Sequence, residues 1–270
     1  ESQNRWPSLD NDIGSINSLF SPLFSAGFYY KTFMGPHKSF WKKIYEPIIR
    51  RAAGLGKPPK EFKALSSHLH HNVDIVIVGA GLNGLLAAKS LINTNYDILL
   101  VDFDDHLGGI INNSGKISLI DNQNPHEWVK STVEAIERSK NIKILKNTLV
   151  TTYNYINHLI AVEDKHVGSR PSENKVNNIL HKIRTDHVIL CNGHIERFLS
   201  FQNNDLPGIM LASSFEKYIC RYGTLPSKEP VIFSNNSNSN SLIYSIINQG
   251  YKPKAYIDSR SGENIEPELF

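Results

Sequence analysis

The chain is poor in cysteine, nearly balanced in charge and without a long apolar run, and each shortage removes a class of protein. Its two cysteines, Cys191 and Cys220, stand too far apart for a C-x-x-C redox pair. So few exclude a disulfide framework, argue against a disulfide reductase and point to a reducing compartment. The formal net charge of +3 is too small for a nucleic-acid footprint, and no basic run with interleaved aromatics compensates for it. No apolar stretch reaches membrane-spanning length, and no signal peptide is visible. Nucleic acid and membrane are therefore not expected partners, and no residue pattern asks for a metal. What remains, in 270 residues, is a globular chain of one large or two modest domains.

What the sequence does have is concentrated in one stretch, Val73 to Gly109. Val73 and Ile75–Val78 form a near-continuous apolar run, as a parallel strand covered on both faces requires. Gly79, Gly81 and Gly84 then supply G-x-G-x-x-G at the start of a helix. Gly79 suits a tight turn, Gly81 a close approach of backbone to a pyrophosphate, and Gly84 the packing of helix on strand. The N–H groups at the helix start, at Leu82 and Asn83, suit phosphate oxygens. Leu82, Leu85, Leu86, Leu91 and Ile92 recur at helical spacing and would cover the sheet. Ile98–Val101 make a second strand, and Asp102 stands at its end, 23 positions after Gly79. A carboxylate there can accept hydrogen bonds from ribose hydroxyls. Phe103 follows it, and Gly108-Gly109 completes a pattern that resembles FAD/NAD-linked reductases and amine oxidases more than simple dehydrogenases.

Before this stretch, residues 1–66 are rich in aromatics and broken by Pro22, Pro36 and Pro47. Ser39–Ala53 reads as a helix with Trp41, Ile44, Tyr45, Ile48 and Ile49 on one face, bent or divided at Pro47. It would pack on its own domain or on a partner subunit. Gly54–Pro59 opens a linker, and His68, His70 and His71 read as its solvated continuation. After Gly109, Glu127–Lys140 is a helix and Lys143–Leu145 a short strand. Leu149–Tyr153, Leu159–Glu163 and Ile179–Arg184 alternate as an antiparallel meander, with Lys165–Asn178 as its loose loop. His187–Leu190 returns to the parallel sheet and ends in Cys191-Asn192-Gly193, where Asn192 and Gly193 would border the nucleotide. Asn204–Gly208 is a turn or crossover, and Arg221–Glu229 a linker.

A second strand–helix–strand unit follows: Val231–Phe233, a helix marked by Leu242, Ile243, Ile246 and Ile247, then Ala255–Ile257. Asp258 lies 24 positions after Ser234, nearly the Gly79–Asp102 spacing. Ser234, Asn236 and Ser239 occupy the places of the three glycines, and their side chains would crowd a pyrophosphate. This unit reads as Rossmann-like without a dinucleotide site, one half of an internal duplication in which the first copy binds.

Several segments together resemble the α subunit of heterotetrameric sarcosine oxidase: Gln3–Leu9, Ser21–Phe24, Ala26–Met34, Tyr45–Gly56, Gly193–Arg197 and Asn204–Ser213. The resemblance implies a cytoplasmic flavoenzyme complex with β, γ and δ partner subunits. That complex oxidatively demethylates sarcosine to glycine, hydrogen peroxide and a folate-linked one-carbon unit. It implies NAD in the glycine-motif domain, FAD and the amine-oxidising site in the β subunit, and FMN at the interface between the two. A ferredoxin-like module before Glu1 and a folate-binding domain beyond Phe270 are implied and missing, so the chain reads as a fragment. Cys191-Asn192-Gly193 departs from the usual Ala-Thr-Gly, and Phe103 stands where a second acid is common.

The expected fold is α/β. Residues 1–71 are an N-terminal extension and linker, and 72–206 a Rossmann-like FAD/NAD(P)-binding domain with three-layer packing. Residues 207–270 are a partial second Rossmann-like domain. The expected cofactor is NAD, with FAD as the alternative in the same cleft. NADP is disfavoured because Phe103, Asp104 and Asp105 offer no cation to a 2′-phosphate. No residue reads as a proton-transfer catalyst, and His194 and Glu196 are assigned structural roles. Two other functions remain open: the α subunit of a related amino-acid or opine dehydrogenase holding FAD or ATP, and a non-catalytic nucleotide-binding scaffold.

Overall fold

The apolar run at Val73 is one end of a much longer strand. In the computed structural model, β1 spans Leu65–Val78 and pairs along its length with β6, Val176–Leu190, in parallel. The structure describes residues 7–8, 11–13, 15–16, 19, 22, 35, 37–52, 65–115, 119–167 and 175–260. The Gly54–Pro59 linker, the segment Ala26–Met34 and the middle of the Lys165–Asn178 loop lie outside them. The chain divides into two compact units, Glu1–Phe62 with Phe198–Ile209, and Lys63–Arg197 with Met210–Phe270.

In the first unit, a helical stretch opens with Lys38–Phe40, widens to a π-helical turn at Trp41–Tyr45 and continues as α1, Glu46–Ala52. The π turn ends two residues before Pro47. Proline has no N–H to give and its ring crowds the carbonyl four residues back, and a wider turn relieves both. Glu46 N–H accordingly donates to the Trp41 carbonyl, five residues back. Trp41, Ile44 and Ile48 of the expected apolar face are exposed. Asn204–Gly208 is a turn, with Asn204 Nδ2 donating to the Leu199 carbonyl (3.1 Å) and Gly208 at φ 93°.

The second unit holds one six-stranded sheet and one two-stranded sheet. The larger has the order β3-β2-β1-β6-β5-β4. Here β2 is Ile98–Val101, β3 Ile142–Leu145, β4 Thr148–Asn154 and β5 His158–Asp164. Strands β3, β2, β1 and β6 run parallel, while β5 and β4 are added antiparallel. Helices α2, Leu82–Ser90, and α3, Pro125–Arg138, cover one face. Leu85, Ala88, Trp128, Val129 and Ile136 meet Ile75, Ile77, Ile98 and Leu100 there. The start of α3 follows from its sequence: Asn124 caps it by accepting from His126 N–H (3.0 Å), and Pro125 stands in the first turn. On the opposite face, Val76, Leu99, Val101 and Leu145 cluster with Leu159, Ala161 and Ile183, as the antiparallel half curls back over the parallel one.

Two expectations are corrected. His68, His70 and His71 are not a linker but lie inside β1, because the first half of β6 offers them a partner strand. Ile179–Arg184 and His187–Leu190 are likewise not separate strands but one, β6. No breaker divides them. Instead the Thr185 hydroxyl lies 2.9 Å from the Asp74 carbonyl and 3.0 Å from that of His187. At the same level Asp74 N–H and Ile75 N–H both donate to the Asp97 carbonyl (2.9 and 3.1 Å), and the β1–β6 register runs on unbroken from Val73–Thr185 to Ile75–His187.

The smaller sheet pairs β7, Val231–Ser234, with β8, Ala255–Asp258, in parallel. Helix α5, Ser239–Asn248, connects them, as the second Rossmann-like unit requires. Helix α4, Ala212–Tyr222, precedes β7. Phe215 and Ile219 of α4 pack with Ile232, Leu242, Ile243 and Ile246. The segment expected as a linker from Arg221 therefore begins inside a helix, which ends at Gly223 in the left-handed conformation (φ 60°).

Candidate functional site

The glycine turn connects β1 to α2 at the C-terminal edge of the parallel strands, where open α/β sheets place their ligands. Gly79 adopts φ 96°, and a Cβ there would overlap the Cys191 carbonyl, 2.7 Å from its carbon. A Cβ on Gly84 would overlap the Gly79 carbonyl oxygen and lie 2.9 Å from its carbon. Gly79 and Gly84 are thus required by the protein's own packing. Gly81 differs: nothing lies within 4 Å of a Cβ built on it. It stands at the N-cap of α2, where no side chain closes the helix end, so the first N–H groups of α2 have no intrahelical acceptor. The Leu82 side chain packs against the core, which leaves its backbone for a ligand, and Asn83 is exposed.

Around this turn the structure gathers most of the residues named from the sequence. Asp102 is 8% exposed. One carboxylate oxygen accepts Ala80 N–H and the other accepts Asp104 N–H (2.8 Å). The ribose carboxylate expected from the sequence is therefore also a pin that joins the glycine turn to the loop after β2. An ionised carboxylate has about four acceptor positions, so two hydrogen bonds leave room for a hydroxyl. Gly108 N–H donates to the Ala80 carbonyl (2.8 Å), and a Cβ on Gly109 would come 3.0 Å from Gly81 Cα. The Gly-Gly pair thus packs on the glycine turn. Asn192 N lies 3.1 Å from a Cβ built on Gly79. Gly193, at φ 66°, and Phe103, 69% exposed, extend from the rim and meet less of the cluster.

The residues missed from the sequence lie on α4. Arg221, in its last turn, donates from Nη1 and Nη2 to the two oxygens of Asp104 (2.6 and 2.8 Å) and from Nη2 to Asp105 (2.7 Å). The hydrogen-bonded guanidinium holds the Asp104 carboxyl well below the usual carboxylate range, and Asp104 in turn raises the pKa of Arg221. A cation therefore does reach the loop after Asp102, from 117 residues away. Asp104, Asp105 and His106 offer ligand atoms within 4.8 Å of one another, but Arg221 sits on both carboxylates. In the middle of α4, Glu216 is buried and accepts from Gly115 N–H (2.8 Å), Ser241 Oγ (2.6 Å) and Ser245 Oγ (2.9 Å). At the N-terminus of α4, Glu196 accepts Ala212 N–H (3.2 Å) and Ser213 N–H (2.8 Å), the structural role assigned to it. One helix thus grips the segments after β2, after Gly109 and after β6. The amphipathic spacing of Phe215 and Ile219 followed by Gly223 was the signal for this helix; nothing local signalled what Arg221 would touch.

The second strand–helix–strand segment answers its own motif positions. The Ser234 hydroxyl donates to the Asn236 carbonyl (2.7 Å), Asn236 Oδ1 accepts Asn238 N–H (2.9 Å), and Ser239 Oγ lies 3.0 Å from the Tyr256 hydroxyl. Asp258, the counterpart of Asp102, is taken by Arg260 (Nη2–Oδ2 2.7 Å), which holds its pKa at about 2.

Residues 77–143, which include the glycine turn, α2, β2 and Asp102, match the NAD(P)-binding Rossmann-like domain family. The sarcosine oxidase α subunit of Rhizobium meliloti is 36% identical over 98% of this chain and 27% of its own length. That of Corynebacterium sp. (strain P-1) is 29% identical over 77% of the chain and 22% of its own. The chain's homologues are sarcosine oxidase α subunits. It spans about a quarter of their length. The relatives are oxidoreductases, and the name α subunit implies further subunits in their assemblies. Among solved structures, L-proline dehydrogenase from P. horikoshii superposes with a TM-score of 0.59 at 19% identity, over 78% of this chain and 39% of that one. That likeness shows a shared fold. Among the described residues, no helix is long and apolar enough to cross a membrane.

Proposed function

We propose that the chain is the NAD-binding part of a sarcosine oxidase α subunit. The observation that carries this is the open glycine turn beside Asp102, in a chain homologous to that subunit over nearly its whole length. In this reading the backbone of Gly81, Leu82 and Asn83 lies along the pyrophosphate, and Asp102 accepts from the adenosine ribose. Gly79, Gly84, Gly108 and Gly109 shape the turn, while Phe103, Asn192 and Gly193 border the ligand. The nucleotide domain, expected over 72–206, takes in β1 from Leu65, with the extension before it and a second Rossmann-like part over 207–270.

The whole protein would work in the cytoplasm with β, γ and δ subunits to demethylate sarcosine oxidatively. FAD and the amine site would lie in the β subunit and FMN at the interface, so the chain itself supplies no proton-transfer residue. The test is to purify the chain, release its ligand by denaturation, and identify it by absorbance and mass. NAD supports the reading; FAD in the same cleft would replace it with the flavin alternative. Sarcosine-dependent peroxide production by the purified chain, above a protein-free control, would overturn the placing of the amine site elsewhere.

A further inference from the structure

Two residues beyond the ribose carboxylate, the loop after β2 meets a charge from the other end of the chain. Asp104 N–H donates to Asp102 (2.8 Å), and the Asp104 side chain accepts both forks of Arg221. Arg221 is therefore one residue removed from the place where a dinucleotide's 2′ substituent would lie. An arginine near that carboxylate is what a 2′-phosphate needs, because its planar fork pairs bidentately with phosphate oxygens. Here the fork is already full. Asp104 takes it bidentately, Asp105 takes a third hydrogen bond, and the Arg221 and Asp104 side chains are 18% and 20% exposed. Helix α4 cannot easily turn the guanidinium elsewhere, since Glu196 and Glu216 fix the same helix at its start and middle.

We propose that Arg221, occupied by Asp104 and Asp105, is the specificity-determining residue that makes this cleft refuse a 2′-phosphate and accept a free 2′-hydroxyl. The proposal rests on a dinucleotide lying along Gly81 with its ribose at Asp102. Asp104 and Asp105 take the one guanidinium and Asp102 stands beside them through the Asp104 N–H, so these three carboxylates and one cation leave the ribose end with a net charge of −2. A 2′-phosphate would have to displace a carboxylate from a largely desolvated pair and then sit beside it. A hydroxyl displaces nothing. The same arrangement contains its own conversion: neutralising the two outer acids leaves Arg221 in place with its fork free.

The test is titration of the full chain with NAD and with NADP, for the wild type, Asp105→Asn and the double variant Asp104→Asn/Asp105→Asn. Circular dichroism and melting check each fold. The wild type should prefer NAD by about tenfold or more. NADP affinity should rise from wild type to single to double variant, by about tenfold or more at the end, with NAD held within about threefold. Adding Arg221→Gln to the double variant should abolish the NADP gain while leaving NAD. Asp105 is the more exposed acid, so its single variant still decides the matter if the double one is unstable. Wild type that binds NAD, with variants that gain no NADP, overturns the role of Arg221 alone. Wild type that binds neither dinucleotide overturns the underlying reading as well.

Discussion

Gly81 and Gly84 stand three residues apart in one motif, and the structure gives them opposite vulnerabilities. A Cβ on Gly84 would lie 2.9 Å from the Gly79 carbonyl carbon and overlap its oxygen, whereas carbon atoms rest about 3.5–4.0 Å apart. Helix α2 would have to back away from the turn, and overpacking of this kind costs about 1–3 kcal/mol. At about 2–4 °C per kcal/mol for a chain of this size, Gly84→Ala should melt roughly 2–12 °C below the wild type. Gly81 has φ −71° and ψ −168°, which alanine adopts, and its Cβ would meet nothing. The loss of glycine at the N-cap, about 0.5–1 kcal/mol, is offset by about 0.4–1 kcal/mol from a stiffer unfolded chain. Gly81→Ala should therefore melt with the wild type. It should nonetheless bind dinucleotide about ten- to a hundredfold more weakly, because a methyl group in the pyrophosphate's path removes a charge-assisted hydrogen bond of roughly 1.5–3 kcal/mol. Differential scanning calorimetry and calorimetric titration read the two effects separately. Gly81→Ala binding as tightly as the wild type would show that no pyrophosphate passes there. An unchanged melting point for Gly84→Ala would show that the helix relaxes without cost.

Other perturbations follow from individual contacts. Asp102→Asn leaves Ala80 N–H or Asp104 N–H facing an amide NH₂, so it should destabilise the fold by about 1–3 kcal/mol and weaken NAD about tenfold; a variant that melts and binds as the wild type would exclude both roles. His71 lies 2.8 Å from His181 Nδ1, and burial, then His181, pushes its pKa below the ordinary value. The unfolded chain therefore takes up the extra proton, so stability falls as pH drops below about 6.5 towards the folded value. His71→Gln should flatten the fall in melting temperature between about pH 7 and 5, and an unchanged slope would remove His71 from the cause. Equilibrium dialysis of the wild type against excess nucleotide should show one equivalent bound per chain, because the turn at Ser234 is closed by its own side chains; a second equivalent would place a nucleotide at that turn.

What the sequence made legible was what it held locally. Strand, turn, helix, strand and acid follow one another within Val73–Asp102, and each depends on neighbours within a few positions, so spacing alone located them. Gly108 and Gly109 were singled out by a resemblance, and it is the structure that packs them on the turn. What stayed hidden was held by distant partners. The histidines of β1 look like linker because they are polar, yet β6 supplies a parallel partner 112 positions on, as for Leu69 and His181. His181 then joins Glu163 (3.1 Å) to His71 across three strands, a line no local pattern encodes. Arg221 was read as linker because it lies at the end of an eleven-residue helix and because its partners are acids from another part of the chain.

Read as two copies of one motif, the two strand–helix–strand segments give these hidden contacts a common physical sense. In the first copy, the turn keeps a bare Gly81, and the acid at the end of β2 hydrogen-bonds to backbone with acceptor positions to spare. In the second copy, every corresponding feature is satisfied from within, by Ser234, Asn236 and Ser239 in the turn and by Arg260 on Asp258. A turn that fulfils its own hydrogen bonds gains nothing from a phosphate and would lose those bonds to admit one. The second strand–helix–strand segment bears α4 on a fixed core of Phe215, Ile219, Leu242 and Ile246. From there Glu216 and Arg221 hold the segments after Gly109 and after β2, and the helix start holds Glu196 after β6. Side chains in one turn and glycine in the other thus place an open turn beside a rigid support, and the support carries the charge that meets the acids after β2.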